Sequence, residues 1–91
     1  MSNEQERKQV AEFLRGLISE VMYMDPGEID EDMLFSDYGL ESITLIKLIA
    51  RVNARYSCAI EPREILPYQT LRDASAFITE RLRPSPNIGA P

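Results

Sequence analysis

The sequence predicts an all-α fold: a four-helix bundle with three long helices, one short third helix, and a long loop between the first two. Three observations carry this reading. Apolar residues recur at steps of three and four in three separate stretches, proline and glycine punctuate the gaps between them, and no stretch shows a convincing strand pattern. At 91 residues the chain makes one domain. That is enough for a single core but not for a deep catalytic cleft beside it.

The first helix is marked by Val10, Phe13, Leu14, Leu17, Ile18 and Val21, which share one face. Asn3 with Glu6 three residues on resembles a start signal. Gly16 falls mid-helix, costing roughly 1 kcal/mol against alanine, and is either a close-packing site or simply tolerated. Asp25-Pro26-Gly27 ends the helix. Residues 25 to 41 read as an extended, partly ordered loop. Met33, Leu34, Phe35 and Tyr38 are too apolar for a free linker, so some of them should tuck under the bundle.

The second helix should run from about Ser42 to Tyr56, with Leu45, Leu48, Ile49, Val52 and Tyr56 as its core stripe. Pro62 opens a single turn through Arg63-Glu64-Ile65-Leu66, and Pro67 closes it. Thr70 starts the last helix, with Asp73 three positions later as a weak capping box. Leu71, Ala74, Phe77, Ile78 and Leu82 form its apolar face. Residues 1–83 are thus expected to form the domain and 84–91 a loose tail or linker stub. Met1 fits a free-standing protein or the start of a longer one, and the proline-rich tail fits an excised domain.

Charge and composition narrow the function. Residues 21 to 41 hold seven acids and no bases: Asp25, Glu28, Asp30, Glu31, Asp32, Asp37 and Glu41. Residues 42 to 56 hold three bases, Lys47, Arg51 and Arg55, and no acids. An acidic chain without a basic-aromatic cluster is a poor nucleic-acid binder. There is no histidine, which removes the commonest general base and the commonest metal ligand. No apolar run reaches membrane-span length, and the polar, acidic N-terminus does not read as a signal peptide, so a cytoplasmic address is expected. The acid run does not fit a calcium loop: counting from Asp25, the sixth position is Asp30 rather than glycine, and Pro26 stands second. A solvated loop is the expectation there. Cys58 is the single cysteine and reads as a small, partly buried hydrophobe, while Met22 and Met24 read as gap-fillers.

The chemistry centres on Gly39-Leu40-Glu41-Ser42-Ile43, where the acidic loop meets the second helix. Taken alone, Ser42 is a residue that favours a helix N-cap. Together with Leu34-Phe35-Ser36-Asp37-Tyr38, however, the stretch resembles the acyl and peptidyl carrier protein family, in particular carrier domains of polyketide and nonribosomal peptide synthases. The resemblance covers roughly residues 6 to 82. Glu41 stands where the family usually has aspartate, and Ile43 where it usually has leucine.

The resemblance implies a carrier bundle that catalyses nothing itself. Ser42 would bear 4'-phosphopantetheine, delivered from coenzyme A by a magnesium-dependent phosphopantetheinyl transferase. Gly39, Leu40, Glu41 and Ile43 would form the motif around it. The expected function is to hold acyl or polyketide intermediates as thioesters and present them to acyltransferase, ketosynthase or other synthase enzymes. Aminoacyl or peptidyl loading, or an unmodified helical interaction module, are the alternatives. Ile43, Ile46, Lys47, Ala50 and Arg51, with Arg55 continuing the basic row, form the expected docking face, placed off the core stripe. The carrier is expected to be a monomer that binds neither nucleic acid nor membrane.

Overall fold

The computed structural model describes residues 3–82. The expected tail, 84–91, lies outside them. Four α-helices form: α1 (Asn3–Met22), α2 (Ser42–Tyr56), α3 (Pro62–Ile65) and α4 (Leu71–Leu82). Two 3-10 turns, Pro26–Glu28 and Phe35–Tyr38, shape the long loop between α1 and α2. Among the described residues no strand forms; Leu34 and Thr70 make one isolated antiparallel bridge. No described helix is long and apolar enough to cross a membrane.

The helical periodicities bury as a core should. Val10, Leu14, Leu17 and Ile18 of α1 meet Leu71, Ala74 and Ile78 of α4, and α1 packs more extensively on α4 than on α2. Leu45, Leu48, Ile49 and Val52 close the other side. Burial of such side chains contributes about 1.5–3 kcal/mol each. Phe13 and Tyr56 lie at the margin, edge to face at 5.6 Å between centroids. Phe77 is likewise half-buried and stacks on Tyr68 at 4.8 Å. Gly16 has nothing within 4 Å of where a Cβ would stand, so it serves no close packing and is merely tolerated.

The connections are fixed by polar side chains. Asp25 caps the first 3-10 turn by accepting from Gly27 N–H at 3.3 Å. Thr70 Oγ1 accepts from Asp73 N–H at 3.1 Å, so the threonine half of the expected box is made. A complete capping box stands at α3, where Glu61 and Glu64 each accept from the other's backbone N–H. Within the expected turn, Ile65 is fully buried while Leu66 is exposed. Asn53 of α2 grips the chain leading into α3: its Nδ2 donates to Ile60 O at 2.9 Å and its Oδ1 accepts from Ile60 N–H at 2.8 Å. Cys58 is half-buried, and its thiol donates to the same Oδ1 at 3.3 Å.

The acid run is largely solvated, as expected, with Asp25, Glu28, Asp30 and Asp32 exposed, but Glu31 is drawn inward. Arg7 of α1 is only 7% exposed, and a cation that deeply placed requires charged partners. Its Nη1 donates to Glu31 at 3.1 Å and to the buried Ser75 hydroxyl of α4 at 3.0 Å. Its Nε and Nη2 donate to Glu4 at 3.1 and 2.8 Å. Glu31 also draws Arg15 and Arg72 to 3.6 and 3.7 Å, and Asp32 takes Arg72 at 2.7 Å. Loop acids therefore clasp α1 to α4.

These pairings set the behaviour in acid. Hydrogen bonding from Arg72 holds the Asp32 carboxyl below its ordinary value of 3.8, and Arg7 holds Glu4 below 4.5. Glu64 is held below 4.5 first by the Glu61 backbone N–H and then by Arg81. A carboxylate with a lowered folded pKa contributes stability that is present above its unfolded pKa and lost as pH falls through the folded value. Melting temperature should therefore decline as pH drops below about 4.5. Asp32→Asn should flatten that decline, read by circular dichroism from pH 6 to pH 2. An unchanged acid slope would show that the Asp32–Arg72 pair contributes nothing.

Candidate functional site

The path of the loop determines how Ser42 is presented. Glu31 O accepts from Arg72 N–H at 2.9 Å, and Phe35 N–H donates to Gln69 O at 2.7 Å, so the loop lies along the entry to α4. Ile29, Phe35 and Leu40 are buried and anchor it. The Tyr38 hydroxyl donates to Asp30 O at 2.9 Å and accepts from Asp30 N–H at 2.6 Å, folding the loop on itself. Of the four expected anchors, Phe35 is buried and Tyr38 half-buried. Met33 and Leu34 are instead exposed, at 38% and 48%.

Gly39 then turns the chain toward α2. It adopts a left-handed conformation (φ 85°, ψ 14°), and its N–H closes the second 3-10 turn on Phe35 and Ser36 carbonyls. The nearest atom to a Cβ placed there would be Met22 Cε at 3.6 Å, ordinary contact. The demand for glycine is thus conformational rather than spatial.

Glu41 is extended (φ −112°, ψ 178°) and occupies the N-cap position without a side-chain capping bond. Ser42 is therefore the first helical residue rather than the cap that serine would ordinarily supply. Its side chain is exposed, and its hydroxyl makes no hydrogen bond among the described residues. The first bond of this end is Leu45 N–H to Glu41 O at 2.9 Å. The N–H groups of Ser42, Ile43 and Thr44 have no intrahelical acceptor. No acid lies in the first turn of α2. Free amides and the positive end of the helix dipole converge here, an arrangement suited to an anion.

The expected docking face is open. Ile43 is 71% exposed and Ile46 50%, and Ala50, Lys47 and Arg51 are exposed beside them. The basic row is not uniform, however. Arg51 reaches Glu20 of α1 at 3.6 Å. Arg55 lies over the Phe13 and Tyr56 rings, 5.8 and 5.3 Å from their centroids, and so belongs to the α1–α2 seam. Lys47 carries no ion pair among the described residues. Met22 and Met24 are partly buried against the core, as gap-fillers are.

Residues 12–78 match the family described as "Phosphopantetheine attachment site". Polyketide synthase PksL of Bacillus subtilis (strain 168) is 35% identical over 65 residues, which is 71% of this chain and 1% of that protein. The chain thus spans about 1% of the length of the curated relative it matches. A crystal structure of a free-standing peptidyl carrier protein from Acinetobacter baumannii shares the fold, with TM-score 0.81 and 23% identity over 86% of this chain and 98% of that one. An NMR structure of the HMG-ACPI domain from the CurA module of Lyngbya majuscula superposes with TM-score 0.76 and 28% identity, covering 84% of this chain and 77% of that one. A family match over most of the chain, on a helical bundle of carrier type, makes this chain a member of the phosphopantetheine-attachment family, whose domains carry 4'-phosphopantetheine.

Proposed function

We propose that this chain is a cytoplasmic acyl carrier that holds acyl or polyketide intermediates as thioesters on 4'-phosphopantetheine attached to Ser42, and presents them to the enzymes of a synthase. The observation that carries the assignment is the state of Ser42: an exposed residue whose hydroxyl makes no hydrogen bond among the described residues, first in a helix whose leading amides have no intrahelical acceptor. The similarity to a polyketide synthase segment supports the acyl or polyketide cargo.

The residues present fit a phosphodiester. Three unsatisfied N–H groups and the helix dipole favour its charge, and the nearest acid, Glu41, stands outside the helix. Gly39 supplies the left-handed turn that brings the chain to this helix start. No histidine exists in the chain to activate Ser42, so the incoming transferase supplies the base. The Ser42 oxygen forms a bond to the phosphorus bearing pantetheine in coenzyme A. The bond from that phosphorus to the nucleotide breaks, adenosine 3',5'-bisphosphate leaves, and the hydroxyl proton passes to the transferase. When bound, the cofactor supplies the thiol that forms the thioester. The domain's own contribution is tethering, which raises the local concentration of intermediate at each enzyme.

Ile43 and Ile46 supply the apolar part of the docking face and Lys47 its free charge, which suits a weak, fast partner. Arg51 is shared with Glu20, so its share in docking is smaller than that of Lys47.

Two measurements test this reading. Incubation with coenzyme A, magnesium and a broad-specificity phosphopantetheinyl transferase should add one phosphopantetheine by intact mass, and Ser42→Ala should abolish the addition. Modification at Ser36 or Ser57 would refute the site. With carrier already loaded, Lys47→Glu should slow transfer to acidic partner enzymes more at low salt than at high salt, because exposed charges act over about 10 Å at 0.1 M. Ile46→Ala should slow transfer with little salt dependence. Equal rates for Lys47→Glu and the parent at low salt would make this face merely solvated.

A further inference from the structure

Tyr23 combines a left-handed backbone with a side chain left almost wholly exposed. Its backbone is left-handed (φ 55°), a conformation that bulky L-residues rarely adopt. It holds this conformation because α1 ends there: Met24 N–H donates back to Ser19 O at 3.0 Å, closing the helix around Tyr23. Glycine is the residue that such a position favours. The side chain gains no burial in return, since Tyr23 is 95% exposed, the most exposed of the large apolar residues described. Ser57 provides the contrast. It takes the same conformation (φ 55°) at the end of α2, but with a small polar side chain that needs no burial.

Its position gives the exposure a use. Met22, the preceding residue, brings its Cε to 3.6 Å from the point a Gly39 Cβ would occupy. Gly39 lies three residues before Ser42. Glu20, one turn back on α1, pairs with Arg51, and Lys47 lies one turn nearer Ser42 on α2. The end of α1 therefore stands against the Gly39 corner that leads into Ser42. An enzyme that reaches the Ser42 hydroxyl must cover this end of the bundle.

We propose that Tyr23 is a docking anchor for the phosphopantetheinyl transferase that loads Ser42. Strain at α1's end is retained because a tyrosine held there offers a large, rigid, amphipathic contact to the enzyme. Tyrosine is enriched at such contacts for this reason. Local strain kept at functional positions is a recurrent pattern. The proposal rests on Ser42 being the attachment point and extends the docking surface from α2 onto α1.

The test exploits opposite signs. Tyr23→Gly relieves the backbone, so its melting temperature should rise. Its kcat/KM for phosphopantetheine transfer from coenzyme A, using a broad-specificity transferase and magnesium, should fall about tenfold. Tyr23→Phe should keep most of the rate. Ser57→Gly relieves the same strain at the far end of α2, so it should raise the melting temperature and leave transfer unchanged. Unchanged kcat/KM in Tyr23→Gly, with the wild type loading normally at Ser42, would overturn the anchor and leave the Ser42 assignment standing. Failure of the wild type to load at Ser42 would overturn both.

Discussion

The clasp between Glu31 and the arginines of α1 and α4 is the interaction on which the rest of the arrangement depends. Burial of Ile29, Phe35 and Leu40 draws the long acidic loop against the bundle, and the clasp fixes where it lies. Here a buried arginine needs anionic partners, and the loop supplies them. Arg7 is satisfied by Glu4, Glu31 and Ser75 together, so three separate segments meet at one guanidinium. Replacing one partner would leave a buried charge short of hydrogen bonds, which costs more than the net worth of the pair itself.

From that clasp the chain runs to the site with little freedom. The backbone bonds to Arg72 and Gln69 hold residues 31–35 at the entry of α4, and Phe35 and Leu40 sink into the core on either side of the second 3-10 turn. Gly39 supplies the left-handed corner between them. What emerges is a helix start whose amides and serine hydroxyl are unspent. The loop thus acts as scaffold, and the unsatisfied turn at its end is the part that meets other molecules.

Much of this was legible in the residues. The apolar periods located the three long helices, Pro62 and Pro67 located the short one, and the glycine-to-isoleucine motif located Ser42 at the start of α2. The polar architecture was harder to read. Arg7 sits among polar neighbours on α1, and its burial follows from the packing of α4, which no local pattern announces. Glu31 looked like one acid in a solvated run because its partners lie 16 or more positions away. Composition marked Met33, Leu34, Phe35 and Tyr38 as a group from which some would tuck in, but not which; Phe35 is the one that is buried, with Ile29 and Leu40 beside it in the core. Arg55 continued the basic row on the helical wheel, but it lies over the Phe13 ring of α1, a contact between helices that the wheel does not show. The capping box at Glu61 and Glu64 could have been found from their three-residue spacing before Pro-led helix α3.

A clasped loop presents an open helix start, to which the cofactor should be added without rearranging the bundle. Amide chemical shifts and hydrogen exchange, compared before and after enzymatic phosphopantetheine loading, test this most directly. Shift changes should concentrate in residues 39 to 46, with protection at Phe35 and Arg72 unaltered. Loss of protection at Phe35 and Arg72 on loading, or shift changes centred away from Ser42, would contradict it.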